Sequence, residues 1–235
     1  MIKNKIQNFI VTGCSFTASL LDNILPTSDA YNSRASHWPH TVFSKLGPED
    51  KKFINLAMGA GGNMAAFTNL SYFLNLYKEY TPENTLIGFN ITGLNRKDKI
   101  CLPNDINESE HRVCIDVPTY LNISWYPDQY TRTDDLNLTL IQNATRIIDA
   151  ISYLELRGYT YFFMIMNDDI YTKSPSWFQG FLDERRNKNW ILFGEYLSML
   201  SFSKSINGCV SSTDLHPTMS THKLIGQHVI NFLNI

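Results

Sequence analysis

Asn8-Phe9-Ile10-Val11-Thr12-Gly13-Cys14-Ser15-Phe16-Thr17 opens the chain's first structured stretch. The apolar run Phe9 to Val11 breaks at Thr12-Gly13, a small polar cluster follows, and Ala18 to Ile24 has the character of a helix. The order predicts a buried strand that feeds a tight turn into a helix. Open parallel sheets place their ligands at the carboxyl ends of their strands. This turn therefore presents Ser15 at such an edge, beside the amides that open the next helix. Taken alone, the stretch also fits a plainer account, in which Gly13 only makes the turn and Ser15 only caps the helix.

Similar punctuation recurs down the chain. Lys52 to Ala57 reads as a second short strand and runs into Met58-Gly59-Ala60-Gly61-Gly62-Asn63. Met64 to Tyr80 is helical by the spacing of Phe67, Leu70, Phe73, Leu74 and Tyr77. Thr85 to Asn90 is a third strand, and Tyr159 to Met166, a dense β-type run, is a fourth. Leu136 to Leu156 is a helix closed by Arg157-Gly158, Trp177 to Phe202 gives one or two helices, and Ser220 to Leu233 is the closing helix. Ser205 to Val210 is expected as a fifth strand. His37-Trp38-Pro39-His40 reads as part of a surface loop, with a short helix from His40 to Leu46. Strands alternating with helices imply a parallel sheet covered on both faces, a three-layer α/β/α domain over residues 1–235. Residues 95–135 are polar, contain Pro103, Pro118 and Pro127, and show no clean period. With Tyr120, Trp125, Tyr126 and Tyr130 among them, they read as an insertion over one end of the sheet.

The composition narrows the classes. A chain of 235 residues with 43% hydrophobic content suffices for one α/β domain with a full core. The net charge of −2, without a long basic or acidic block, argues against nucleic acid or an anionic membrane as the partner. No apolar run reaches the length of a membrane span. No long apolar stretch precedes Gly13, so no secretory signal is read and the cytoplasm is the expected compartment. Cys14, Cys101, Cys114 and Cys209 are scattered and are expected as reduced thiols. The histidines lack a metal-ligand spacing, and His222 and His228 are expected to pack on the closing helix. The glycine-rich turn lacks the Lys-Ser/Thr ending of a phosphate-binding loop. No metal or cofactor is expected.

Parallel strands bring their carboxyl ends to one edge, where distant residues converge. Ser15 supplies a hydroxyl, the turn at Gly59 to Gly62 supplies backbone N–H groups, and Asn90 supplies an amide. His216 supplies a base with Asp214 nearby. A nucleophile, a base, an orienting carboxylate and oxyanion donors are the parts that acyl transfer requires.

The set resembles the SGNH (GDSL-type) hydrolases, esterases, lipases, deacetylases and some acyltransferases on a flavodoxin-like α/β/α fold with a parallel five-stranded sheet. Four blocks carry the resemblance, in the family's order: Gly13-Cys14-Ser15-Phe16-Thr17, Asn55 to Asn63, Gly88-Phe89-Asn90 and Asp214-Leu215-His216-Pro217. It implies Ser15 as nucleophile, His216 as general base and Asp214 as the group that holds the imidazole. It implies an oxyanion hole from the Ser15 N–H, an N–H among Gly59, Ala60 and Gly61, and the Asn90 amide. The implied activity is that of a serine esterase or deacetylase on a small ester, with an O-acetylated carbohydrate as the favoured class and no cofactor. An acyltransferase using the same residues, or a binding protein with a degraded site, are the other readings. The Gly-Cys-Ser-Phe-Thr block also looks like relatives from bacterial viruses, a resemblance that allows a virion-associated role. The chain departs from the pattern in several places. Cys14 stands where the family has Asp, Ala60 falls on the second-block glycine, and Ile91 stands where many members have Asp. Asp214 and His216 are separated by one residue instead of two. A carboxylate two residues away reaches the same side of an extended segment.

Overall fold

The computed structural model describes residues 5–17, 37–57, 62–101, 124–128 and 136–235. In chain order the strands are β1 (Asn8–Thr12), β2 (Lys52–Asn55), β3 (Thr85–Ile91), β4 (Lys97–Cys101), β5 (Ser124–Asp128) and β6 (Thr160–Ile165). The helices are α1 (Trp38–Leu46), α2 (Asn63–Leu76), α3 (Leu136–Arg157), α4 (Asp169–Thr172), α5 (Ser176–Asp183), α6 (Met199–Ser205) and α7 (Met219–Leu233). The helix expected from Ala18 to Ile24 lies outside the described residues.

β1 and β3 are buried at every position. An apolar run without alternation requires this of a central parallel strand. β1 pairs in parallel with β2 and with β3, and β3 pairs in parallel with β6. The order is β2-β1-β3-β6. Side-chain alternation along β6 separates the layers. Phe162 meets the Trp38 ring of α1 edge-on at 6.0 Å. Its neighbours Tyr161 and Phe163 point to the other face and stack on Phe89, against which Phe67 of α2 packs. Helices α1 and α2 therefore cover opposite faces. α7 lies beside α1 and α3 beside α2, which completes the three layers. Trp38, Phe162, Phe163 and Phe89 are fully buried, and each such side chain contributes about 1.5–3 kcal/mol by leaving water. Gly88 has no side chain because the Phe162 ring crosses its Cα, where a Cβ would overlap it. Among the described residues no helix is long and apolar enough to cross a membrane.

Among the described residues the sheet has four strands, not the five expected. The fifth position beside β6 is touched only at two isolated parallel bridges, Phe163 to Trp190 and Ile165 to Ser198. Between them the chain turns through Gly194 at φ 67°, and Phe193 and Tyr196 exchange backbone hydrogen bonds with each other. Those groups are spent locally, so the ladder is interrupted. The strand expected from Ser205 to Val210 is also absent. α6 is anchored by a capping box of Ser198 and Ser201 and runs to Ser205. Asn207 then turns the chain at φ 52°, and only Cys209 bridges, to Pro217. Within residues 95–135, β4 and β5 form an antiparallel ladder from Lys97 paired with Asp128 to Cys101 paired with Ser124. The sequence reading gave no strand there.

Candidate active site

The four strands of the sheet β2-β1-β3-β6 all point the same way, so their carboxyl ends share one edge. Gly13 to Thr17 leave β1 there, Leu56 and Ala57 leave β2, and Thr92 and Gly93 leave β3. Met166 and Asn167 leave β6. The turn after β1 is closed by the Thr17 N–H donating to the Cys14 carbonyl at 2.8 Å. It exposes Ser15, half-buried between the buried Cys14 and Phe16.

His216 arrives from the other end of the chain on a tight hairpin. The Val210 N–H donates to the His216 carbonyl at 2.9 Å, and the Ser211 N–H to the Asp214 carbonyl at 3.0 Å. The Ser211 hydroxyl accepts the Asp214 N–H at 2.8 Å and the Thr213 N–H at 3.2 Å. On such an arm, residues two apart face the same side. Asp214 Oδ1 accordingly lies 2.6 Å from His216 Nδ1 and also accepts the His216 N–H at 3.1 Å. The shortened spacing therefore brings carboxylate and imidazole together. Hydrogen bonds from the His216 ring and backbone hold the Asp214 carboxyl below the usual carboxylate range. A carboxylate only accepts, so Nδ1 carries a ring proton, and in the neutral imidazole Nε2 keeps its lone pair. Nε2 lies 2.7 Å from Ser15 Oγ. The Phe16 ring leans on the imidazole with centroids 5.3 Å apart. Hydroxyl, imidazole and carboxylate thus form one unbroken chain that can move a proton off Ser15.

A scan against protein-family models found no match, and no curated protein matches the sequence. Solved structures do match. TesA superposes with a TM-score of 0.53 at 12% identity, over 97% of this chain and 98% of that one. A member of the lipolytic protein G-D-S-L family from Veillonella parvula gives 0.50 at 12% identity, over 95% and 96%. A Bacillus subtilis protein gives 0.54 at 13% identity, over 97% of this chain and 56% of that one. The chain has the fold of the G-D-S-L lipolytic proteins.

On this SGNH-type fold the remaining expected residues fall as follows. Gly59, Ala60 and Gly61 lie outside the described residues. The Ser15 N–H has no acceptor among the described residues. Asn90, expected among the oxyanion donors, is 1% exposed, and its carboxamide faces the turn. Its Oδ1 accepts the Cys14 N–H at 3.1 Å and the Thr17 hydroxyl at 2.8 Å, and its Nδ2 lies 3.4 Å from Cys14 Sγ. Trp38, read from sequence as part of a surface loop, is instead fully buried in the first turn of α1. Its indole N–H donates to the Phe16 carbonyl at 3.0 Å. Pro39 does not disturb α1, because the opening turn has no use for its missing N–H.

Three further supports were not singled out in the sequence. Asn55 Nδ2 lies 3.5 Å from the Thr17 carbonyl. Asn63 ties the start of α2 to the end of β3 by exchanging two 3.0 Å hydrogen bonds with the Thr92 backbone. Thr12 donates to the Ala66 carbonyl at 3.1 Å. The only signal for them is a run of small polar residues at strand ends. Asp168, half-buried, takes the N-cap position of α4 and is held by Ser201, and Asp169, exposed, opens that helix and pairs with Lys173.

Beside His216, the rings of His37 and His222 stack at 3.9 Å, joining the first turns of α1 and α7. The Nδ1 atoms of both are buried and have no hydrogen-bond partner among the described residues. Burial first, then the neighbouring imidazoles, pushes His37 down to about 4 and His222 to about 2. Both rings are neutral in the folded chain and take up a proton on unfolding near their ordinary value of 6.5. Stability is therefore full above pH 6.5 and falls as the pH is lowered. The His37 share is lost by about pH 4 and the His222 share continues towards about 2. The buried His222 alone contributes a slope of about 1.4 kcal/mol per pH unit. His222→Phe keeps a ring in the stack, and urea unfolding of it is expected to show a shallower acid slope between pH 6 and 4. An unchanged slope would contradict the assignment.

Proposed function

We propose that the chain is a serine esterase of SGNH type that acts through an acyl-enzyme on a small ester. The observation that carries this reading is the continuous contact from Asp214 through His216 to Ser15. In the proposed reaction, Ser15 Oγ attacks the ester carbonyl carbon while its proton passes to His216 Nε2. The tetrahedral oxyanion is held by the Ser15 N–H, a backbone N–H from Gly59, Ala60 or Gly61, and the Asn90 amide. The carbon–oxygen bond to the alcohol breaks, and the alcohol leaves with the proton from His216. Water then gives a proton to His216 and attacks the acyl carbon; the bond from that carbon to Ser15 Oγ breaks, Oγ takes the proton back from His216, and the acid leaves. Asp214 stabilises the imidazolium formed in each half.

The His216 and Asp214 side chains are 38% and 50% exposed, so water can reach the base, as the hydrolytic half-reaction requires. An O-acetylated carbohydrate is the proposed substrate class. It is supported by the residue types of the segment 95–135, where Tyr120, Trp125, Tyr126 and Tyr130 offer flat apolar faces for sugar rings. The chain is expected to hydrolyse p-nitrophenyl acetate and acetylated xylan in preference to long-chain p-nitrophenyl esters. Preference for the long chains would overturn the acetyl class, and inactivity on every ester tested would favour a binding role. Asp214→Asn is expected to lower kcat by about tenfold to a hundredfold. The loss is smaller than at a buried triad carboxylate, because solvent already screens this one.

A further inference from the structure

One oxygen atom on β3 holds the chain on both sides of Ser15. The Cys14 N–H can only donate, so the Asn90 atom 3.1 Å from it is the carbonyl Oδ1, which fixes the orientation of the carboxamide. That oxygen has two lone pairs. Cys14, just before Ser15, uses one, and the Thr17 hydroxyl, two residues after Ser15, uses the other at 2.8 Å. Thr17 and Asn90 are both buried, at 0% and 1% exposure, so water cannot stand in for either partner. Between the two anchored positions lie only Ser15 and Phe16, and the Phe16 ring also bears on His216.

We infer that Thr17 is a positioning residue for Ser15. Its hydroxyl closes the turn onto Asn90 and so sets the approach of Ser15 Oγ to His216 and to the substrate carbon. The inference rests on the reading of Ser15 as the nucleophile and adds to it a residue that touches neither substrate nor base. It also gives Asn90 Oδ1 the work of holding the turn, which leaves the Nδ2 of the same carboxamide as a donor. Small errors of placement are costly in this setting, since a displacement near 1 Å can cost about a hundredfold in rate.

The test uses an alkyl fluorophosphonate, which needs no knowledge of the natural ester. Ser15 Oγ bonds to phosphorus, fluoride leaves, and the serine proton passes to His216. Labelling rates are compared for the wild type, Thr17→Ser and Thr17→Ala. The two variants both lack the γ-methyl and differ only in the hydroxyl. Thr17→Ser is expected to label within about threefold of the wild type. Thr17→Ala is expected to show a limiting rate about tenfold to a hundredfold below Thr17→Ser, at an unchanged half-saturating reagent concentration. Thermal midpoints taken in parallel keep all measurements on folded protein, and the serine variant, which retains the clamp, carries the comparison if the alanine variant is less stable. Equal limiting rates for the two variants, with or without a lower midpoint for the alanine variant, would overturn the positioning role. Failure of the wild type to label at Ser15 would overturn the esterase reading itself, so the two failures are distinct.

Discussion

Ser15→Ala is expected to abolish ester hydrolysis, lowering kcat by about 10⁴- to 10⁶-fold while the chain stays folded. The hydroxyl is the group that would form the covalent bond, and nothing adjacent replaces it. Cys14, the nearest other nucleophile, is fully buried and engaged with Asn90 and with Met166, whose sulfur lies 3.7 Å from Cys14 Sγ. It cannot reach a substrate without unmaking the turn. His216→Ala is expected to cost a similar factor. The double variant should be hardly worse than either single one, because hydroxyl and imidazole act as a unit. Additive losses would mean that the two side chains work independently. p-Nitrophenyl acetate turnover, with circular dichroism to match folding, measures all three variants.

Gly13→Ala is expected to destabilise the chain by about 3 kcal/mol or more. Two terms combine. Gly13 has φ 141°, a conformation that side chains rarely adopt, and such strain costs about 1–3 kcal/mol. A Cβ there would also overlap Asn90 Oδ1. The carboxamide would have to leave the Cys14 N–H and the Thr17 hydroxyl, each buried, at about 1–3 kcal/mol for each group left unpaired. The second term exists only while Asn90 occupies that space. Urea unfolding of Gly13→Ala in an Asn90→Ala background should therefore show a smaller penalty than in the wild type. A Gly13→Ala chain within about 0.5 kcal/mol of the wild type would contradict the packing described here.

Much of this arrangement was legible from residue order because it depends on local patterns. β1, β3 and β6 are apolar runs bounded by turn residues, and a run of that kind has few alternatives to a central parallel strand. α7 shows its apolar spacing from Leu224 to Phe232 and begins at the Thr218 cap. Ser15, Asp214 and His216 were found because parallel strands and the loops beside them converge on one edge. What escaped depends on pairing over distance. No local feature of Lys97–Cys101 says that it will meet Ser124–Asp128, and Pro127 within the second argues against a strand unless it lies at an edge. Trp38 was misplaced because an aromatic between His37 and Pro39 looks like loop, while its burial is set by Phe162 on a strand far down the chain. Asn90 was recognised as a polar residue at the sheet edge, but the direction of its carboxamide is fixed by Cys14 and Thr17. The interrupted fifth strand follows from a turn at Gly194 that borrows the backbone groups a ladder would need.

The central claim is that Ser15 carries the acyl group. Acid quenching during turnover of p-nitrophenyl acetate, followed by peptide mass spectrometry, addresses it most directly. An acetyl group is expected on Ser15 in the wild type, and neither adduct nor turnover in Ser15→Ala. Acetyl on another side chain, or undiminished turnover in Ser15→Ala, would contradict it.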